Sequence, residues 1–220
     1  MCKNQAGLNL PNKGDLPTDR VTPNHVFNVT GIDFAGPFFL KFKNQRKGIL
    51  NKVYVVIYVC LCTKAFHLDF VTDQTTDCFI ASLQRFFGRR GKCAKILTDN
   101  SKTFVGADKE IKILYNHVNS PDQYISEFLI SESIEWKFIP PKSPNFGGIW
   151  EAGVKSFKFH LKHVIGGQKL TLEEFITILA EIEGVLNSRP LTPLSPEFDD
   201  FETLSPRHFL IGRPINGIVE

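Results

Sequence analysis

Three stretches of apolar and β-branched residues in the first third of the chain predict neighbouring strands. The first runs from Val26 to Leu40 and is interrupted at Gly36-Pro37. The second, Val53 to Leu61, is apolar throughout, which is typical of a strand covered on both faces. The third, Ala65 to Val71, alternates apolar with polar positions. Short connections between the three predict an antiparallel meander.

The period of the pattern changes after these strands. Helical stripes over Phe79 to Phe87 and over Ala107 to Val118 alternate with short strand patterns at Lys95 to Thr98 and Ile134 to Ile139. Strands joined through helices pair by crossovers, whereas the first three strands pair directly. The order predicts an α/β fold with a five-stranded mixed sheet flanked by helices.

Two more helices and two terminal segments complete the predicted organisation. A helix is expected from Ile149 to Val164 after a Pro/Gly-rich loop, and another from Thr171, where Thr171 and Glu174 have the spacing of a capping box. Residues 1–26 are polar and punctuated by proline and glycine, which predicts a linker. We therefore expect a domain over residues 27–190 and a Pro-rich extension over residues 191–220.

Composition excludes some classes of protein. The chain has 220 residues, of which 42% are hydrophobic, and this is ordinary for a packed core. No apolar run reaches the roughly 18 residues that span a bilayer, and the N-terminus has no signal-peptide pattern, so we expect an intracellular protein, in nucleus and cytoplasm. The five cysteines include no CxxC pair, which favours reduced thiols. A net charge of +3 permits a nucleic-acid partner without indicating one.

Three carboxylates stand out by their positions. Asp33 lies between apolar residues in the first strand, Asp99 follows the fourth strand, and Glu151 begins a helix after a glycine-containing loop. Ligand sites gather at the carboxyl ends of strands in open α/β sheets. Each acid also has an ordinary interpretation. Asp33 is then a bulge or turn residue, Asp99 a turn residue or helix cap, and Glu151 a favourable partner of the helix dipole.

The helix that begins near Glu151 carries a row of charges. Glu151, Lys155, Lys158 and Lys162 share one face, and the apolar stripe on the opposite face runs from Trp150 to Val164. A solvated face with a routine Glu-Lys pair explains this pattern. The alternative is an acid that holds a metal while the lysines lie along a phosphate backbone.

Several motifs in one order resemble the integrase catalytic core of BEL/Pao-type LTR retrotransposons. They are GIDFAGPF, TKAFHLDFVTD, ILTDNSKTFVGA, IEWKFIPPKSPNFGGIWEAGVKSFKFHL, LNSRPLTPLS and LSPRHFLIGRP, and they cover about Val26 to Pro214. The resemblance implies a ribonuclease-H-like fold and a DDE-type polynucleotidyl transferase that joins retroelement DNA 3′-ends to target DNA. It also implies a core taken from a longer polyprotein. Cys2 resembles the last ligand of the zinc-binding module that normally precedes such a core, and because the other ligands are absent we expect no structural zinc.

The resemblance assigns roles to individual residues. It implies that Asp33, Asp99 and Glu151 are a catalytic and metal-binding triad for two Mg²⁺ ions, which Mn²⁺ can replace. Lys155, Lys158, Lys162 and Asn145 are expected to bind DNA, and a homo-oligomer is expected to form partly through Thr171 to Leu186. Two alternatives remain: a domesticated or truncated copy that binds DNA or protein without catalysis, and a ribonuclease-H-like nuclease that uses water as nucleophile.

Overall fold

Thirteen helices and strands are present in the computed structural model, which describes residues 17–42, 49–117, 134–139, 144–193 and 203–212. The strands are β1 (Val29–Leu40), β2 (Asn51–Cys60), β3 (Phe66–Val71), β4 (Lys95–Thr98), β5 (Glu135–Phe138), β6 (Thr192–Pro193) and β7 (Thr203–Leu204). The helices are α1 (Thr18–Val21), α2 (Thr76–Arg90), α3 (Lys102–His117), α4 (Pro144–Ile165), α5 (Leu172–Ser188) and α6 (Pro206–Ile211).

The first five strands form one mixed sheet in the order β3-β2-β1-β4-β5. Strands β1, β2 and β3 pair antiparallel, whereas β4 pairs parallel with both β1 and β5. The register of β1 against β2 shifts between Ala35 and Phe38, so the strand passes through Gly36-Pro37 with an irregularity and does not end there. The predicted α/β fold with a five-stranded mixed sheet is confirmed.

Each face of the sheet is covered by its own hydrophobic core. Residues of β2 alternate between the two: Val55, Ile57 and Val59 pack with α4 and α5, and Val56 and Tyr58 pack with α2 and α3. Strand β2 is therefore covered on both sides, as its continuous apolar sequence predicted.

Helix α4 differs from its prediction at both ends. It begins at Pro144, whereas the sequence predicted a start at Ile149. Proline is tolerated in the first turn of a helix because its missing N–H would have no intrahelical partner there. Val164 was predicted on the buried stripe, but its side chain is 54% exposed. At this end of the helix Leu161 is buried and Ile165 is partly buried.

The terminal segments contain some regular structure. Within the predicted linker, α1 lies near the sheet, and the Asp19 carboxylate is 3.0 Å from Lys95 Nζ. Within the predicted extension, β6 and β7 pair antiparallel and α6 follows. The domain boundaries themselves stay a prediction.

Two findings concern the described helices and thiols. No helix in the described segments is long and apolar enough to cross a membrane. The cysteines at positions 60, 62, 78 and 93 are free thiols.

Side chains of α5 satisfy the open edge of β3. The Asn187 amide accepts a hydrogen bond from the Phe66 N–H at 2.7 Å and donates one to the Phe66 carbonyl at 2.9 Å. The Glu183 carboxylate accepts from the Leu68 N–H at 2.8 Å and pairs with Arg90 of α2. An edge strand otherwise presents unpaired backbone groups. Here polar side chains of α5 form the hydrogen bonds that a neighbouring strand would form with β3.

We predict that Asn187→Ala lowers the free energy of unfolding by about 3 kcal/mol, because it leaves the N–H and C=O of Phe66 buried without partners. Urea denaturation measures this change. The matched control is Ser188→Ala, on an exposed neighbour, which should change stability by less than about 0.5 kcal/mol. Equal effects of the two substitutions would contradict the role given to Asn187.

Candidate active site

Strand register places Asp33 beside Asp99. The parallel ladder between β1 and β4 pairs Gly31 with Leu97, and each acid lies two residues further along its own strand. Parallel neighbours are about 4.8 Å apart in the hydrogen-bonding direction. Asp99 directly follows the last residue of β4, so both carboxylates lie toward the carboxyl end of that strand, where the sequence predicted a site.

Two glycines bring α4 onto the sheet next to these acids. A Cβ atom added to Gly31 would lie 2.3 Å from Trp150 Cε3, and one added to Gly153 would lie 2.5 Å from Phe66 Cε1. The indole of Trp150 therefore rests on the backbone of β1. Residues two apart in a strand share a face, so Asp33 is on the Gly31 side of the sheet. Glu151, next to Trp150 in the helix, is thereby brought toward Asp33.

The titration of Asp33 reflects this arrangement. Burial, with added repulsion from the charges of Asp99 and Glu151, raises the pKa of Asp33 from 3.8 to about 6. A 2.7 Å hydrogen bond from the Phe34 N–H and the positive charge of Lys158 act in the opposite direction. The fold has thus brought three acids and one lysine, from two strands and a helix, within electrostatic reach of one another.

The remaining predicted residues surround this group. Asp99 is exposed, and its Oδ1 accepts a hydrogen bond from the Ser101 N–H at 3.0 Å, which is the turn-forming contact of its ordinary interpretation. Glu151 and the three lysines of α4 are exposed on the helix. Asn145 lies in the first turn of α4, and its side chain falls outside the described part of the structure.

The three acids have the right donor chemistry for a hard divalent cation, since Mg²⁺ prefers carboxylate oxygens. Burial first, and then repulsion from Asp99 and Glu151, raise the pKa of Asp33, and a bound cation would stabilise its charged form. Across the described segments, however, no three His, Cys, Asp or Glu side chains are arranged closely enough to hold a metal ion. The three carboxylates therefore have the chemistry that Mg²⁺ requires, but their oxygens would have to move closer to one another to bind it.

The fold is that of retroviral integrase cores. The chain matches, at 15% identity and a TM-score of 0.57, a chain of the simian T-cell lymphotropic virus intasome in complex with PP2A regulatory subunit B56 gamma, covering 95% of this chain and 63% of that one. It also matches the HTLV-2 integrase catalytic core domain in complex with magnesium, in its dimeric form, at 16% identity and a TM-score of 0.51, covering 87% of this chain and 99% of that one. Searches by sequence found no matching protein family and no matching curated protein.

These similarities define the class of the fold. The five-stranded mixed sheet flanked by helices is the ribonuclease-H-like architecture of integrase catalytic cores. The chain spans 63% of the length of the intasome chain that it matches. Identities of this size establish the fold, and the activity is argued below from the residues.

Sequence reasoning missed the residues that set the position of α4. Gly31 stands two residues before Asp33 on the same face, so the GID motif contained a signal for close approach of another element. Gly153 stands two residues after Glu151, and nothing in the sequence indicated Phe66 as its neighbour. Phe159 and His163, on the outer surface of α4, were also left without a role.

We predict that Gly31→Ala destabilises the protein by about 2 kcal/mol, because its methyl group must displace Trp150 or the strand. The same displacement exposes Asp33 to solvent and moves Glu151 away from it, so the pKa of Asp33 should fall toward its ordinary value of 3.8. Chemical denaturation and NMR titration of the carboxyl carbon measure the two effects.

The matched control is Gly148→Ala in the same region. A Cβ added to Gly148 meets nothing within 4 Å, so alanine should leave the Asp33 titration unchanged and raise helix stability by at most about 1 kcal/mol. A Gly31→Ala variant as stable as the parent protein would contradict the close approach of α4.

Proposed function

We propose that this chain is the catalytic core of an integrase from a BEL/Pao-type LTR retrotransposon, which joins retroelement DNA 3′-ends to target DNA by metal-dependent polynucleotidyl transfer. The observation that carries the proposal is the environment of Asp33: its pKa is raised to about 6 by burial and by two further acids from distant parts of the chain. Perturbed carboxylates concentrate at functional sites, and this one lies in a fold shared with integrase cores.

Asp33, Asp99 and Glu151 would hold two Mg²⁺ ions, with Mn²⁺ as a substitute, and such ions activate the attacking hydroxyl and stabilise the leaving oxygen of an in-line displacement. The chain's own residues supply the rest. Lys158 faces the acids closely enough to lower the pKa of Asp33, so a phosphate that it binds lies beside them. Lys155 and Lys162, with Asn145, would bind the DNA further along α4.

The proposal extends to partners. Retroelement ends and target DNA are the expected nucleic acids, and the protein acts in nucleus and cytoplasm as a homo-oligomer. The HTLV-2 core solved with magnesium in a dimeric form supports the metal and the oligomer, and the intasome match supports DNA.

We predict that Asp33→Asn, Asp99→Asn and Glu151→Gln each abolish Mg²⁺- or Mn²⁺-dependent joining of a labelled duplex end to a plasmid, because each removes a charged ligand at nearly constant volume. Glu110→Gln, on the exposed surface of α3, is the control and should join at the parental rate. Full activity in any of the three variants would remove that residue from the site.

Asp33→Asn should also stabilise the fold when metal is chelated. Because the folded-state pKa of Asp33 lies above 3.8, its ionised form opposes folding at pH 7, and this penalty is relieved as the pH falls through about 6. Asparagine removes the penalty, so we expect a gain of about 2 kcal/mol at pH 7 and little change below pH 4. Loss of both activity and stability would indicate a structural role.

We predict that Lys155→Ala and Lys158→Ala weaken duplex binding and reduce the slope of log affinity against log salt concentration by about one unit for each lost phosphate contact. Fluorescence anisotropy over a series of salt concentrations measures the slope. Lys109→Ala, an exposed lysine of α3, is the control. Unchanged slopes in both α4 variants would show that these lysines do not contact phosphates and only form a solvated face.

A second candidate function is a non-catalytic copy that binds DNA or protein. One observation favours it: Asp99 Oδ1 accepts a hydrogen bond from the Ser101 N–H at 3.0 Å, which is the contact of an ordinary turn residue. The joining assay separates the candidates: joining supports the integrase, cleavage alone supports a nuclease, and neither supports the non-catalytic copy.

A further inference from the structure

An exposed aromatic ring borders the lysine row of α4. Phe159 is 59% exposed, although it follows the buried Phe157 by only two residues. Helical periodicity makes it a neighbour of Lys155, four residues earlier, and of Lys162, three residues later. Single exposed apolar residues are common, but this one has two cations, Lys155 and Lys162, as its neighbours on the helix surface.

The ring of Phe159 is held by two imidazoles. The centroid of His163 lies 4.2 Å from that of Phe159 at an interplanar angle of 45°, and His160 packs edge to face at 5.4 Å. His163 Nδ1 also lies 2.9 Å from the carbonyl oxygen of Phe159, which fixes the imidazole to the helix backbone. The phenyl ring is therefore supported in one orientation before any ligand arrives, and this lowers the entropy cost of binding.

We propose that Phe159, backed by His163, is a stacking platform for an unpaired nucleobase whose phosphates are bound by the lysine row of α4. Single-stranded nucleic acids are bound by this combination, a basic surface along the backbone with an aromatic ring for the base. Bases inside a duplex are already stacked on their neighbours, so the platform takes a base from an overhang, a frayed end or a single strand.

The position of the ring relates the platform to the acids. This inference rests on the proposed function, since it deepens the DNA binding assigned to α4. Eight residues separate Glu151 from Phe159, which is about 12 Å along the helix axis. The stacked base therefore belongs to a nucleotide near the acids, and Phe159 positions the DNA without taking part in the chemistry.

The test compares the full chain with Phe159→Leu, which keeps an apolar side chain and removes the π-face, and with Phe159→Trp, which enlarges it. Fluorescence anisotropy measures affinity for a blunt duplex, for the same duplex with a short overhang, and for the isolated single strand. A 2-aminopurine in the overhang reports stacking through quenching of its fluorescence.

We expect the parent protein to prefer the overhang duplex over the blunt duplex. Phe159→Leu should weaken overhang binding about tenfold and remove the quenching, while blunt-duplex affinity and salt slope stay unchanged. Phe159→Trp should keep or strengthen both signals. Lys162→Ala should lower the salt slope and leave the quenching intact. Single-strand binding that exceeds overhang binding, and is lost in Phe159→Leu, also supports the platform and identifies single strands as its ligand.

Three results would overturn the platform. Phe159→Leu could retain the overhang preference, it could weaken blunt and overhang duplexes equally, or it could change the oligomeric mass in light scattering, which would make Phe159 a protein contact. Failure of the platform alone leaves salt-dependent duplex binding in the parent protein. Failure of the proposed function removes that binding as well, so the two are distinguishable.

Discussion

The contact of α4 with the sheet at Gly31 and Gly153 is the constraint on which the rest of the site depends. Gly31 belongs to the strand and admits the indole of Trp150, whereas Gly153 belongs to the helix and admits the ring of Phe66. Contacts at two places, over β1 and over β3, fix the position of the helix and its direction across the sheet. Protein interiors are close-packed and deform little. The position of Glu151 relative to Asp33 is therefore set by the absence of side chains at Gly31 and Gly153.

This packing carries an electrostatic cost. A carboxylate in a largely apolar strand, faced by two more acids, is disfavoured in its charged form, and the raised pKa of Asp33 shows it. Elsewhere the fold handles an acid in the opposite way. Burial would raise the pKa of Glu183, but His67 at 3.2 Å, the Leu68 N–H and the charge of Arg90 together lower it. The charge of Glu183 is thus satisfied within the chain, whereas the charge of Asp33 is opposed by its surroundings.

The sequence was informative wherever a pattern is local. Strand β2, helices α2 and α3 and the capping box of Thr171 with Glu174 appear where they were predicted. Contacts between distant residues were not accessible, as with Asn187 on the edge of β3, 121 residues from Phe66. The start of α4 was missed because proline and glycine indicate a loop even where a first helical turn accepts them. The grouping of the three acids as a triad came from resemblance. Strand register brings Asp33 beside Asp99, and the packing of α4 brings Glu151 toward them.

Helix α4 combines two surfaces on one element. Its apolar stripe packs on the sheet, and its charged face, headed by Glu151, carries the three lysines outward with Phe159 beside them. Contacts at Trp150 and Gly153 hold this helix, so drawing the acid oxygens together around a cation cannot come from sliding it along the sheet. The adjustment falls to the Glu151 side chain and to the turns before it, where Gly148 has open space around its Cα. Under the proposed function, a bound cation would then complete the site while the outward face of α4 keeps its place.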